Sequence, residues 1–382
     1  MPVLIAKDAV REPLYAVVPV QNPWRWKSRW KHTDRAIKHF IDSGCVVVLV
    51  EVAFNRREFV YADCGLHGTV ANCGIHGEFR HQYVPLRSSS ELWLKENMIN
   101  VGVQRIPDPN WQQVCWLDSD VHFARPNWVG QTIHQLQHYS FLQMFTQARD
   151  LGPNYEMMPE SYPHANGIGF VKAWEEGLIQ STITPEIKAD LIAIQGDIFR
   201  LQKNFLKLVR DLGGGYYGVV GEKPVFPGLA WACTRRAWED VGGLFDVAIW
   251  GGADWHQSHA LIEKTEGMVR NDIHRNYKKL VMQWYHRCRT HIRRNVGSME
   301  GVIFHNWHGR KTARGYNAKH ALLAEYGFDP LRHLKRDYQG LWNLHDDRSI
   351  AFVQLRDMLR RIAKERDEDS TYTGLDEESQ GH

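Results

Sequence analysis

The stretch Gln113-Val-Cys-Trp-Leu-Asp-Ser-Asp-Val121 decides the fold, because an apolar run ends abruptly in two acids. The apolar part predicts a buried strand of an α/β sheet, and ligands of such sheets bind beyond the carboxyl ends of the strands. In an extended segment, Asp118 and Asp120 would point the same way, so both carboxylates could face one Mn²⁺ or Mg²⁺ ion. The alternative is a solvated turn that carries two acids. We predict a metal site here.

The chain on both sides of this stretch alternates between strand and helix patterns. The predicted elements are a strand at 14–20, a helix at 28–43 that Gly44 ends, a buried parallel strand at 45–52, a helix capped by Ser88 and Glu91 that runs to 103, and a helix opened by Pro126 or Asn127. This rhythm is typical of a doubly wound sheet. We therefore predict an α/β fold with a mostly parallel, Rossmann-like sheet flanked by helices.

The rest of the chain is less regular. Residues 172–212 have a helical pattern and end at Gly213-Gly-Gly215, so they form a helical insertion that either covers a site or simply packs. Residues 226–234 return to strand character, and residues 270–294 predict a long basic helix. Residues 364–382 are polar and acidic, which predicts disorder.

The composition is that of a globular protein. The chain has 382 residues, of which 43% are hydrophobic and 24% charged, with a net charge of +3. This is enough apolar material for one large or two modest cores. Glu51 interrupts the longest apolar run, and residues 1–11 lack the apolar stretch of a signal peptide. Six scattered cysteines favour a reducing, cytoplasmic location.

A series of short motifs lies along the chain in a fixed order. They are Trp93-Leu-Lys-Glu-Asn-Met-Ile-Asn100, Trp116-Leu-Asp-Ser-Asp120, Arg125-Pro-Asn-Trp128, Gln135-Leu-Gln-His138, Pro227-Gly-Leu-Ala-Trp-Ala232, Gly242-Gly-Leu-Phe-Asp246, Gly251-Gly-Ala-Asp-Trp-His256, Phe304-His-Asn-Trp-His-Gly309, Phe328-Asp-Pro330 and Glu368-Asp-Ser370. In this order they resemble GT-A glycosyltransferases, in particular family-2-like enzymes encoded by tailed phages. Residues 63–81 and the helical insertion depart from the family pattern.

This resemblance implies a GT-A fold and a reaction. The expected reaction moves a sugar from a nucleotide-diphosphate sugar, such as a UDP-sugar, to a hydroxyl acceptor with the help of Mn²⁺ or Mg²⁺. The nucleotide would lie across the first strands, with Glu51 near the uridine or ribose, and with Lys95, Asn97 and Asp118 facing the donor. Ordinary surface or capping roles are the alternative for Glu51, Lys95 and Asn97.

The motif Gly251-Gly-Ala-Asp254 holds the expected base. Its glycines allow a close backbone approach to a ligand, and the resemblance matches Asp254 to the acid that takes the proton of the acceptor hydroxyl in inverting enzymes. His256 is a competing base because imidazole titrates near neutral pH. The family commonly has Glu-Asp here, whereas this chain has Ala253-Asp254, so only the second acid can be assigned.

A late histidine pair is the second part of the expected metal site. By resemblance His308 completes the metal shell, with His305 as the second candidate; a structural role is the alternative. The residues that follow form a basic run suited to diphosphate oxygens, namely Arg310, Lys311, Arg314 and Tyr316.

A small repeat offers a separate metal site. Cys64-Gly-Leu-His67 and Cys73-Gly-Ile-His76 place two cysteines and two histidines close together in sequence. These are the ligands of structural Zn²⁺. The alternative is a glycine-rich hairpin with free thiols.

The long basic helix points to the acceptor. Its cationic residues include Arg275, Lys278, Lys279, Arg287, Arg289, Arg293 and Arg294. Tyr277, Trp284 and Tyr285 are interleaved, and such a mixture could bind phosphates and stack on bases. Together with this helix, the resemblance to phage enzymes implies modified phage DNA that carries hydroxymethylcytosine or hydroxymethyluracil as the acceptor, with base flipping. A solvated basic face, a virion-protein or glycan acceptor, and a non-catalytic nucleic-acid-binding protein are the alternatives.

These assignments divide the chain into three parts. Residues 1–265 would form the GT-A core, with the donor half at about 1–125 and the insertion at about 172–212. Residues 266–363 would hold the basic helix and the segment that closes the metal and diphosphate site. Residues 364–382 would form the disordered acidic tail. No membrane contact is expected.

Overall fold

The computed structural model describes residues 12–63, 81–159, 165–179, 219–220, 223–265, 267–310, 316–345 and 350–373. The main sheet has seven strands. In spatial order they are β12 (Val296–Ser298), β6 (Phe141–Gln143), β11 (Ala230–Thr234), β4 (Gln113–Leu117), β1 (Leu14–Gln21), β2 (Val46–Phe54) and β3 (Gln82–Ser88). The α/β class is confirmed.

The main sheet is mixed, with four parallel and two antiparallel strand pairs, and not uniformly parallel. The pairs β3–β2, β2–β1 and β1–β4 are parallel. Beyond β4, strand β11 runs antiparallel to both β4 and β6, whereas β12 runs parallel to β6. The parallel half is buried on both faces, which explains why β1 and β2 are almost continuously apolar in sequence.

A second sheet has six strands. Its spatial order is β5 (Val121–Phe123), β13 (Val302–His305), β7 (Gln147–Asp150), β8 (Asn166–Gly169), β10 (Lys223–Phe226) and β9 (Val219–Val220). Strand β5 follows β4 after a short turn, so the chain passes from one sheet to the other at the two acids. A hairpin of β14 (Leu334–Arg336) and β15 (Trp342–Leu344) stands apart from both sheets.

Helices cover both faces of the main sheet. They are α1 (Lys27–Asp42), α2 (Lys95–Gln104), α3 (Trp128–Gln135), α4 (Phe170–Glu175), α5 (Arg235–Val241), α6 (Ala253–Leu261), α7 (Arg275–Arg287), α8 (Tyr316–Glu325), α9 (Pro330–His333) and α10 (Ile350–Glu365). Helices α1 and α3 share a core with one face of β1, whereas α2, α5, α6 and α7 share a core with the other face. Alternating side chains of β1 therefore serve two cores.

Several predicted boundaries differ from the structure. Helix α2 begins at Lys95, because Ser88 still pairs in β3 and the following serines form a turn. Helix α4 ends at Glu175, so the predicted insertion is helical only at its start within the described residues. The basic helix is shorter than expected, since α7 ends at Arg287 and a π-turn follows at Cys288–Ile292.

Residues 364–373 are held by contacts, contrary to the disorder expected there, whereas residues 374–382 lie outside the described residues. Helix α10 runs to Glu365, and the next residues pack against α1 and the β13 region. Glu368 is fully buried there. Composition failed to predict this because Glu368 and Asp369 have partners in α1, more than 300 residues earlier in the chain.

The remaining sequence predictions concern the Cys/His repeat, the other cysteines and membrane contact. The Cys/His repeat, with Cys64, His67, Cys73 and His76, lies outside the described residues, as does most of the insertion. The four described cysteines are buried free thiols. No helix in the described part of the chain is long and apolar enough to cross a membrane.

Asp246 joins α2 to the β14–β15 hairpin, and its removal is expected to destabilise the fold. Its carboxylate accepts hydrogen bonds from Asn97 (3.2 Å), Asn100 (3.0 Å), Arg336 (2.7 Å) and the Trp342 indole (3.0 Å). Asp246→Ala leaves these donors without their acceptor, and we expect it to lower the free energy of unfolding by about 3 kcal/mol. Urea denaturation monitored by tryptophan fluorescence measures the change.

Asp42→Ala is a matched control for this prediction. Asp42 forms an exposed i,i+4 ion pair with Lys38, at 2.7 Å. Such pairs contribute little, so the free energy of unfolding should change by less than about 0.5 kcal/mol. Equal effects of the two substitutions would contradict the role given to Asp246.

Candidate metal site and adjoining cleft

The candidate site lies where β4 passes into β5. Asp118 follows the last residue of β4, and its backbone N–H donates to Leu229 O at 2.9 Å. Asp120 is in the turn before β5, and its carbonyl accepts from the backbone N–H of Asn306 at 2.8 Å. Because β13 pairs antiparallel with β5, His305 is opposite Val121. This register brings the late histidines to the acids.

Asp120, His305 and His308 form a group that could hold a metal ion. One ligand atom from each lies within 4.8 Å of the others. The Asp120 carboxylate is 3.7 Å from His305 Nε2 and 3.5 Å from His308 Nε2, and the two Nε2 atoms are 3.0 Å apart. The structure thus brings together three of the four residues that the sequence assigned to the metal.

Asp150 orients His305, and the sequence analysis missed it. Strands β7 and β13 are parallel with Asp150 opposite His305. The His305 Nδ1–H group donates to the Asp150 carboxylate at 2.7 Å, which leaves Nε2 facing Asp120. A carboxylate behind a histidine ligand is a common arrangement in metal sites. An acid at the end of a short strand was the only sequence signal.

The donor set fits a divalent metal ion. It combines one carboxylate with two imidazoles, and imidazole nitrogens suit transition metals better than they suit Mg²⁺. His32 lies nearby: its Nε2–H group donates to Trp307 O at 2.6 Å, and burial lowers the pKa of His32 despite the nearby Asp120. His32 is therefore a neutral neighbour of the group.

Asp118 does not join this group, which corrects the expectation that both acids converge on one ion. Ser119 and Asp120 form a turn, so the alternation of an extended strand does not apply to them. Asp118 instead pairs with Lys95 Nζ at 2.5 Å. Burial raises the pKa of Asp118, while Lys95 opposes the rise and Asp120 and Asp254 add to it.

A narrow cleft is lined in part by Lys95, the ion-pair partner of Asp118. Its lining is made of residues from β4, α2, α6, β11 and the loop before β11: Lys95, Glu96, Trp116, Gly228, Leu229, Trp231, Asp254, Gln257 and Leu261. Gly251 and Gly252 adopt φ angles of +93° and +88° just before α6, conformations that favour glycine. This turn places Asp254 in the first turn of α6, facing the cleft.

Close packing fixes Asp254 within the cleft. A Cβ on Gly228 would collide with its carboxylate. The backbone N–H of Trp255 donates to Asp254 Oδ1 at 2.9 Å. Burial would lower the pKa of Lys95, but the surrounding carboxylates Asp118, Glu96 and Asp254 outweigh it and raise the pKa, so the lysine stays charged. The cleft thus combines one cation with several acids.

Glu96 is a buried acid that the sequence analysis did not single out. Burial raises its pKa to about 8, and the charge of Asp254 adds to the rise while Lys95 opposes it. The folded protein therefore holds a proton on Glu96 at neutral pH, whereas the unfolded chain does not. This proton bears on stability.

Glu96→Gln is expected to stabilise the protein more at pH 8 than at pH 5. The pKa of Glu96 is higher in the folded protein than in the unfolded chain. The wild-type protein therefore has its full stability below pH ~4.5 and loses part of it as the pH rises toward 8. Glutamine does not titrate, so the variant should gain about 2–3 kcal/mol at pH 7. Urea unfolding at several pH values measures this, and a gain that does not change with pH would contradict the assignment.

Three predicted site residues lie away from the cleft. His256 is buried: its Nδ1–H group donates to Met268 O at 2.6 Å, and its Nε2 accepts from the Tyr277 hydroxyl at 3.0 Å. It is therefore a core histidine and not a rival base. Glu51 lies inside β2 and accepts from two backbone N–H groups and the Tyr83 hydroxyl, so it serves the fold. Asn97 is buried against the β14–β15 hairpin.

Helix α7 carries its charges outward and its aromatic side chains inward. Tyr277, Trp284 and Tyr285 are buried, and the Trp284 indole donates to Gly243 O at 2.8 Å. They cannot stack on nucleic-acid bases, which corrects that part of the expectation. The basic residues of α7 and the following turn are exposed or half-buried, namely Arg275, Lys278, Lys279, Arg287, Arg289, Arg293 and Arg294.

The basic run after the histidines is described only in part. Lys311 and Arg314 lie outside the described residues, and Tyr316 is the first residue of α8. The Arg310 guanidinium stacks over the ring of Tyr372 at 4.6 Å from its centre. No known family model matches the chain, and no curated protein matches it at a significant level.

Proposed function

We propose that the chain is a metal-dependent glycosyltransferase of GT-A type that moves a sugar from a nucleotide-diphosphate sugar to a hydroxyl acceptor. One observation carries the proposal: Asp120, His305 and His308 converge at the end of a buried strand. The cleft that contains Asp254 lies close by, because Asp118 interacts electrostatically with both Asp120 and Asp254. A metal group and a carboxylate in one edge of an α/β sheet suit group transfer.

The metal group would serve the leaving diphosphate. Asp120, His305 and His308 would hold the ion, and Mn²⁺ fits this donor set better than Mg²⁺. The ion would neutralise the charge that develops on the departing diphosphate. Asp150 keeps His305 in the tautomer whose Nε2 faces Asp120. Lys95 adds a fixed positive charge beside Asp118.

Asp254 would act on the acceptor. Its carboxylate faces the cleft and would take the proton of the acceptor hydroxyl as that oxygen attacks the anomeric carbon. This role implies inversion at that carbon. The walls of Trp116 and Trp231 would exclude water from the reacting groups, and thereby limit hydrolysis of the donor.

Modified DNA is the acceptor that we propose. The exposed basic residues of α7 and its following turn offer charge for phosphates. A hydroxymethyl group on a pyrimidine supplies the nucleophilic oxygen, and the base would have to leave the duplex to reach the cleft. Because the aromatic residues of α7 are buried, binding there would be electrostatic and therefore sensitive to salt.

Mass spectrometry provides the test. DNA with hydroxymethylcytosine or hydroxymethyluracil is incubated with the full chain, Mn²⁺ and a panel of UDP-sugars, next to unmodified DNA as the control. A mass gain of one sugar on the modified DNA alone supports the proposal. Transfer to a protein or glycan instead would replace the acceptor, and binding of DNA without transfer to any acceptor would favour a non-catalytic protein.

A further inference from the structure

The segment that follows α10 lies directly on the candidate metal group. Asp369 accepts hydrogen bonds from the backbone N–H groups of Lys27 (3.0 Å) and Ser28 (2.7 Å), the first residues of α1. The preceding residue, Trp26, has no side-chain acceptor with which to cap this helix, so the cap comes from a distant part of the chain. The Trp307 indole donates to Ser370 O at 2.6 Å. The segment is thus fastened on both sides.

Glu368 is the centre of this segment. Its side chain is fully buried, and its carboxylate accepts from Arg29 Nε at 2.9 Å and from the same guanidinium at 2.5 Å. A second guanidinium, that of Arg366, lies 3.1 Å from it. A buried carboxylate requires such neutralisation. Arg29 and Arg366 together bring three nitrogen atoms to this carboxylate, which has about four lone-pair sites, so Glu368 can accept one further hydrogen bond.

His308, a candidate metal ligand, lies beside both Arg366 and Glu368. Its Nδ1 atom is 3.2 Å from the Arg366 guanidinium and 3.9 Å from the Glu368 carboxylate. A guanidinium only donates, so in the structure as it stands His308 Nδ1 accepts and Nε2 carries the proton. That proton faces His305 Nε2 at 3.0 Å. The two rings and their partners form a hydrogen-bonded chain.

Ligation through His308 Nε2 requires the other tautomer. The proton then resides on Nδ1 and needs an acceptor, which Arg366 cannot be. The Glu368 carboxylate is within a small side-chain movement of that position. Asp150 already accepts the Nδ1–H hydrogen bond of His305 in the same way. Each histidine would then have its own carboxylate.

We propose that Glu368 is a positioning residue of the metal group, which accepts the Nδ1–H of His308 when Nε2 binds the ion, and that Arg366 favours the ion-free tautomer. This inference rests on the metal site of the proposed function. It adds that residues 366–370 are part of the site and set its affinity. Gly309 marks the same contact, because a Cβ there would collide with the backbone of Arg366.

The test compares Mn²⁺ affinities of full-length variants. Free Mn²⁺ is measured by electron paramagnetic resonance during a titration, without donor or acceptor, and folding is checked by circular dichroism. Glu368→Gln is expected to weaken Mn²⁺ binding about 10–100-fold, as loss of the partner of a histidine ligand does. Arg366→Met is expected to tighten it, because the substitution removes both a positive charge and the donor to Nδ1.

Asp369→Asn is the matched control, because it tests whether residues 366–370 affect Mn²⁺ binding only by being held against α1. It weakens the cap of α1 but leaves Glu368 beside His308, and should change Mn²⁺ affinity less than about 3-fold. If Glu368→Gln binds Mn²⁺ like wild type, or if Arg366→Met weakens binding as much as Glu368→Gln does, the positioning role is overturned. If wild type binds no Mn²⁺, the metal site itself fails, and that outcome is distinct from failure of the positioning role alone.

The test still decides if one variant fails to fold, because the two substitutions are expected to change the Mn²⁺ affinity in opposite directions. Glu368→Gln and Arg366→Met both disturb one buried network, so both should lower the free energy of unfolding. A purely structural role predicts weaker Mn²⁺ binding in both. If Glu368→Gln fails to fold, tighter binding by folded Arg366→Met still supports the proposal, and unchanged or weaker binding overturns it.

Discussion

Asp120→Ala is expected to abolish Mn²⁺ binding and to lower the rate of sugar transfer at least about 10³-fold. Asp120 is the one carboxylate in the group with His305 and His308, and its loss leaves only two imidazoles as ligands. An ion that stabilises developing charge contributes several kcal/mol, and each 1.36 kcal/mol changes the rate tenfold. Paramagnetic resonance measures the binding, and mass spectrometry of the product measures the rate.

Asp357→Ala is the matched control for this substitution. Asp357 is an exposed acid of α10 that pairs with its neighbour Arg356. Its removal should leave both the Mn²⁺ affinity and the rate unchanged. Wild-type transfer by Asp120→Ala would show that the reaction does not need this group, and would remove the basis of the proposed function.

Asp254→Asn is expected to reduce kcat about 10²- to 10⁴-fold with little change in donor or Mn²⁺ affinity. The amide keeps the shape that packs against Gly228 but cannot take a proton. Loss of kcat without a change in KM is the signature of a group that acts only in the transition state. Initial rates over a range of donor concentrations separate the two parameters.

The control for Asp254 is Asp272→Asn. Asp272 is exposed and forms a bidentate ion pair with Arg270, so its amide should transfer at the wild-type rate. The anomeric configuration of the product, read by NMR, tests the role independently. Retention of configuration, or full activity of Asp254→Asn, would mean that Asp254 is not the base.

The parallel half of the main sheet was predictable because its signals are local. Strands β1, β2 and β4 are apolar runs, and each ends near a turn residue, so their periodicity alone indicates buried strands. The same local pattern indicated Asp120, whereas His305 and His308 were assigned by the resemblance to a family. The antiparallel β11 gave no such signal of direction, because its partner β4 lies more than a hundred residues earlier in the chain.

The supporting residues of the site were not predictable from local patterns. Asp150, Glu96 and Glu368 interact with residues far away in sequence, namely His305, Asp254 and Arg29, whereas an acid in isolation indicates only a solvated side chain. Asp118 was misassigned for a related reason: its direction depends on a turn rather than on strand alternation. His256 and Glu51 are buried polar groups whose partners only the fold reveals.

The cap that Asp369 places on α1 has a consequence for synthesis on the ribosome. Helix α1 is made early, yet two of its first N–H groups receive their acceptor only after residue 369 has emerged. Until then the nascent chain carries an unfinished helix end and an unneutralised Arg29 beside the histidines. Chaperone contact and proteolytic sensitivity of stalled chains should therefore fall sharply once that residue leaves the exit tunnel.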